Sequence, residues 1–128
     1  MNFIKKSITS QQFFIDTFND FLVKGVDVNF TYDVGTPLSY IIEKQCLNTE
    51  LIKALIQAGA DVNYHLGPIF GKPLSIAIAY SNSKRYRDKQ PWINVIKLLL
   101  SAGAEAHKSS KDQSILLEAQ RQLQEEKK

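Results

Sequence analysis

The sequence predicts an all-α fold: a solenoid of three to four helix-turn-helix repeats with short hairpin loops and a C-terminal capping helix. Two observations carry that expectation. The phrase Gly25-Val26-Asp27-Val28-Asn29 recurs as Gly59-Ala60-Asp61-Val62-Asn63 and, more loosely, as Gly103-Ala104-Glu105-Ala106-His107. Each copy follows an apolar helical run: Phe21-Leu22-Val23, Leu55-Ile56 and Leu98-Leu99-Leu100. A second phrase then follows at a nearly fixed distance. Thr36-Pro37-Leu38-Ser39 begins 11 residues after Gly25, Lys72-Pro73-Leu74-Ser75 begins 13 after Gly59, and Ser114-Ile115-Leu116-Leu117 begins 11 after Gly103. Self-similarity at a period of roughly 20–50 residues is the mark of stacked repeats.

Each phrase has a physical reading. Gly25, Gly59 and Gly103 each close an apolar helix. A left-handed residue after the last turn lets backbone N–H groups reach the orphan carbonyls, and glycine adopts it without Cβ strain. Thr36 caps a helix through its hydroxyl, and Pro37 suits the first helical position, where no N–H is needed. Pro73 plays the same part, but Lys72 has no side-chain oxygen, so that helix starts less firmly.

The elements follow in order. Thr9 and Gln12 read as a capping box for a helix over 11–24, with Phe14, Phe18, Phe21 and Leu22 at helical spacing. Residues 2–8, with Phe3, Ile4 and Ile8, are read as a short helix before it. The next pair of helices is expected over 37–44 and 49–58, with Asn48 or Thr49 as cap. Gly67-Pro68 and Gly71 mark a turn in the hairpin that follows. The third pair is expected over 73–80 and from about 91 to 102. The last helix covers 114–126, with Ile115, Leu116, Ala119 and Leu123 on one face and a polar remainder of the kind end repeats need. Leu38, Leu55, Ile56, Leu74, Leu99 and Leu100 are the expected core.

The third pair carries an insertion. From its opening phrase to its closing glycine it spans 31 residues, against 23 in the second. The excess falls in Ser81-Asn82-Ser83-Lys84-Arg85-Tyr86-Arg87-Asp88-Lys89-Gln90, whose four cations and one acid sum to +3, the net charge of the whole chain. The rest of the protein is therefore formally neutral.

The paired phrases resemble the ankyrin repeat family, whose repeat opens with Thr-Pro-Leu-His and ends with Gly-Ala-Asp-Val-Asn. The resemblance covers roughly residues 11–123. It implies a single domain with repeats of about 1–35, 36–71 and 72–112 and a cap over 113–128. It also implies a non-enzymatic protein-binding module. Its partner surface would be the hairpin fingertips and the exposed side of each first helix: Phe30, Tyr32 and Asp33; Tyr40, Glu43 and Lys44; Tyr64, His65, Leu66, Ile69 and Phe70; Ile76, Ala79 and Tyr80. Phe30, Ile69 and Phe70 have the alternative of folding back over the ends of the stack. The family's histidine is Ser39 and Ser75 here, which puts its usual side-chain bonds in question.

Chemistry finds little support in the residues. His65 and His107 are the only histidines and Cys46 the only cysteine, which is too few for a zinc site of about four ligands. Cys46 reads as a small apolar residue near a helix end, and no disulfide framework is possible. Asp27 and Asp61 recur with the repeat and read as turn formers. No phosphate loop or nucleophile elbow occurs. No cofactor, metal ligand or catalytic residue is expected. No signal-peptide core or membrane span is legible, so the expected address is cytoplasmic and the expected free state monomeric.

The function expected is that of an inhibitor, an immunity protein against a toxin, or a small adaptor, acting by occupying its partner. The basic insert, with Lys84, Arg85, Tyr86 and Arg87, has three readings: a solvated loop, a dock for an acidic protein surface, or a contact to nucleic acid through phosphates and base stacking. The last defines the rival class, a nucleic-acid-contacting accessory protein.

Overall fold

The structure is a computed structural model that describes residues 10–25, 27–31, 35–65, 71–105 and 114–127, apart from the side chains of residues 10, 11, 13 and 14. The described residues are all-helical: α1 Ser10–Val23, α2 Pro37–Glu43, α3 Thr49–Gln57, α4 Pro73–Ser81, α5 Gln90–Ser101 and α6 Ser114–Glu126. Isolated bridge pairing occurs at Gly35 and Gly71, two residues before each Pro-Leu-Ser phrase, and no strand forms among the described residues. No helix among them is long and apolar enough to cross a membrane. The short helix expected over 2–8 and the Thr9 end of the capping box lie outside the described residues.

The helix ends form where the local chemistry requires. Thr36 caps α2, its Oγ1 accepting from Ser39 N at 3.3 Å and sharing a 3.0 Å hydrogen bond with Ser39 Oγ. Both residues are buried, and Ser39 satisfies its hydroxyl locally. Asn48 caps α3, accepting from Leu51 N at 2.8 Å. Lys72 makes no side-chain cap to α4, as its lack of an oxygen predicts. It pairs instead with Glu105 at 3.1 Å. After α3, Gly59 N donates to Ile56 O and Ala60 N to Leu55 O, both at 3.0 Å. After α5, Gly103 N donates to Leu100 O at 3.0 Å and Ala104 N to Leu99 O at 2.9 Å. These are paired left-handed terminators, with φ of +99° at Gly59 and +92° at Gly103. Nothing lies within 4 Å of an added Cβ at either glycine, so backbone conformation alone demands them.

The helices pack in two rows. In one, α1 lies on α3 and α3 on α5; in the other, α2 lies on α4 and α4 contacts α6. Helix α5 packs against both α4 and α6. Leu38, Leu55, Leu74 and Leu99 are buried between them. Ile56 and Leu100, also expected in the core, are only half-buried. Neighbours on a helix point about 100° apart, so one of each adjacent pair takes the core and the other its edge. On α6, Ile115, Leu116 and Ala119 are buried and Leu123 is half-buried, while Arg121 forks between Glu118 and Glu125 on the outer face. Gln90 and Gln122 exchange amide hydrogen bonds at 2.9 and 3.1 Å, fastening α5 to α6.

The recurring Asp-Val-Asn turns do more than reverse the chain. Asp27 Oδ1 accepts from Asn29 N, and Asp61 Oδ1 from Asn63 N, each at 2.9 Å, which closes the turn. The asparagine then reaches the following turn. Asn29 Nδ2 donates to Gly59 O at 2.9 Å while its Oδ1 accepts from Asp61 N at 2.7 Å. Asn63 makes the same pair with Gly103 O at 3.1 Å and Glu105 N at 2.8 Å. One side chain per phrase thus satisfies a carbonyl and an amide of the next phrase. His107, in the corresponding place of the third phrase, lies outside the described residues.

Candidate functional site

Of the partner surface expected on the fingertips and first helices, the described residues do not gather into one exposed aromatic patch. Ile76 belongs to the core, at 4% exposure. Helix α4 reads Pro-Leu-Ser-Ile-Ala-Ile-Ala-Tyr-Ser, apolar on all sides, and it is covered by α2, α5 and α6, so little of its circumference reaches solvent. Its exposed place is Ala79. Tyr80 is half-buried and committed inward: its ring stacks on Trp92 at 6.3 Å and its hydroxyl donates to Glu43 Oε1 at 2.6 Å. That carboxylate, with burial adding to it, pushes the Tyr80 phenol up to about 12. Tyr40 is half-buried with its ring edge-on to Phe18 at 6.4 Å. Phe30 folds back on Phe21, with the ring centroids 5.8 Å apart. Tyr64 is half-buried and His65 exposed. Tyr32 and Phe70, like Asp33, Leu66 and Ile69, lie outside the described residues.

The insert between α4 and α5 is a built structure. Trp92, fully buried near the start of α5, is its floor. Tyr86 meets Trp92 edge-on at 5.5 Å, with the rings 85° apart. Its hydroxyl donates to Gln45 Oε1, in the turn after α2. Lys89 Nζ folds back onto two carbonyls, Ser81 O and Ser83 O, the latter at 3.0 Å. Asp88 Oδ1 accepts from Gln90 N at 3.0 Å, giving the start of α5 the side-chain acceptor that its N-cap Lys89 lacks. Within the insert, Tyr86 N donates to Ser83 O and Arg85 N to Ser83 Oγ, each at 3.2 Å.

Gln45 was not legible as a functional residue. It ends α2 in the left-handed conformation, φ +58°, where the ends of α3 and α5 use glycine. Its N–H bonds Ile42 O and that of Cys46 bonds Ile41 O, both at 2.9 Å, the same paired terminator. A glycine there would have no side chain to hold Tyr86. The only sequence signal was the missing glycine after α2. Cys46 beside it is free and buried, as an apolar residue at a helix end would be.

With Tyr86 and Lys89 turned inward, Lys84, Arg85 and Arg87 remain exposed. Arg85 lies over the Tyr86 ring at 5.9 Å. Lys44, exposed beside Gln45, lies over Tyr40 at 5.5 Å. Among the described residues, Lys24, Lys53, Lys72, Lys97 and Arg121 pair with carboxylates. Among the described residues, no ion pair forms at Lys44, Lys84, Arg85 or Arg87. The neighbouring acids face other groups, Glu43 toward Tyr80 and Asp88 toward the α5 backbone. Also among the described residues, no group of three or more His, Cys, Asp or Glu side chains is gathered as a metal site.

No protein-family model matches the chain, and no curated protein or solved structure matches it at a significant level.

Proposed function

We propose that this chain is an ankyrin-type repeat module that binds another protein and acts by occupying it, as an inhibitor or as an immunity protein against a toxin. The observation that carries this reading is the asparagine bridge. The same side chain, in the same phrase, links one turn to the next across two successive intervals, 34 residues from Asn29's phrase to Asn63's and 44 from there to the third. Repeats joined this way form an extended scaffold whose loops are free to vary, the usual design of a recognition surface.

The test is biochemical. The tagged chain should capture a protein that, once purified, forms a stoichiometric complex and loses its activity in it. Capture of nucleic acid in place of protein, or a complex in which the partner's activity is unchanged, would contradict the reading.

A further inference from the structure

The insert and the turn after α2 form one edge, because the Tyr86 hydroxyl bonds Gln45 and the Tyr86 ring rests on Trp92. Lys44, Lys84, Arg85 and Arg87 all lie on it, exposed and, among the described residues, without carboxylate partners. Glu43 turns one carboxylate oxygen to Tyr80 and Asp88 one to the α5 backbone, while the fifth cation, Lys89, bonds two carbonyls. The edge therefore holds concentrated positive charge in a protein otherwise formally neutral. The charge is also mounted: Tyr86, Lys89 and the Ser83 turn fix the backbone between α4 and α5. A pre-ordered loop loses less entropy on docking than a floppy one.

We propose that this edge docks a carboxylate-rich segment of the partner protein, with Arg85 and Arg87 as the planar forks that grip carboxylates and Gln45, Tyr86 and Trp92 as the mounting that sets their position. The inference rests on the protein-binding reading above. Carboxylate is favoured over nucleic acid because single strands are held by bases stacked on aromatic rings. The one aromatic ring of the insert is taken by Trp92 and Arg85.

Fluorescence anisotropy with a labelled oligoglutamate peptide, and with an oligothymidylate of equal charge, tests this at low and at physiological salt. Wild type should bind the peptide more tightly than the oligonucleotide. Combined Lys84→Gln, Arg85→Gln and Arg87→Gln should weaken peptide binding by roughly threefold to 150-fold, from three exposed charge contacts at about 0.2–1 kcal/mol each. A control with equal net charge, Lys24→Gln, Lys53→Gln and Lys127→Gln, should weaken it far less. Tyr86→Ala keeps every charge and should still weaken it about threefold, as expected when roughly one side chain's worth of ordering is added to the docking step. Each variant is checked for wild-type helicity by circular dichroism. If the control triple weakens binding as much as the insert triple, or Tyr86→Ala changes nothing, the edge is not the site and the protein-binding reading still stands. If the oligonucleotide binds more tightly at equal charge, the protein-binding reading falls with it.

Discussion

The pairs α2–α3 and α4–α5 begin with the same Pro-Leu-Ser phrase after a bridge glycine and end in the same glycine terminator, yet they diverge between those points. In the first, α2 is capped by Thr36, and a short turn through Gln45 and Cys46 leads to α3. In the second, α4 has no side-chain cap, and residues 82–89 separate it from α5. The extra residues do not disturb the stack. Asn63 reaches across 40 residues to the bonds that Asn29 makes across 30. An insertion placed in the connection leaves the core faces and the bridging turns in register, so the scaffold tolerates it while gaining a new surface.

The largest expected effect breaks the floor of the insert. Trp92→Ala should destabilise by about 3–5 kcal/mol, the range for a large aromatic side chain removed from a core. Trp92→Phe should cost clearly less, because its Nε1 makes no hydrogen bond among the described residues. Leu55→Ala, in the pair without the insert, should cost about 2–5 kcal/mol. Urea midpoints rank these three.

The asparagine bridges come next. Asn29→Ala and Asn63→Ala each remove two hydrogen bonds, worth about 0.5–1.5 kcal/mol apiece. The two variants should lose similar stability. A much smaller loss for Asn63 would mean the insert has slackened the stack, and the comparison would fail.

Smaller effects separate the caps and terminators. Thr36→Ala should cost about 1 kcal/mol. Lys72→Thr adds the missing cap but removes the exposed pair with Glu105, worth about 0–1 kcal/mol, so its melting temperature should hold or rise. Gln45→Gly relieves a left-handed backbone costing roughly 1–2 kcal/mol but frees Tyr86 from its acceptor. Its net effect on stability should be small, while exchange at the insert amides accelerates.

Alkaline titration probes Tyr80. Its folded pKa of about 12 lies above the reference value of 10.0. The Tyr80–Glu43 contact therefore contributes fully below pH 10 and is lost as pH rises through about 12. An absorbance titration should show a phenol ionising near pH 12 that vanishes in Tyr80→Phe.

Helix positions were legible because their signals are local. Pro37, Pro73, Asn48 and the terminal glycines act within one turn of chain, and every described helix lies within about two residues of its expected bounds, the usual uncertainty of helix ends. The asparagine bridges were half legible: the recurrence of Asn29 and Asn63 was visible, but their reach to the next turn was not. The site was least legible. Ile76 and Tyr80 sit on a helix apolar all round, where periodicity names no exposed face. The contacts Tyr80–Glu43 and Tyr86–Gln45 join residues 37 and 41 apart, a distance at which spacing carries no signal.

The insert should behave as a fixed platform comparable to the short turn after α2. Backbone 15N relaxation measures this directly. Order parameters across residues 83–88 should match those across 44–48, at about 0.8 or above, as in rigid backbone. Values below about 0.6 across 83–88 beside a rigid 44–48 would show a flexible loop, and the account of a mounted cationic edge would be wrong.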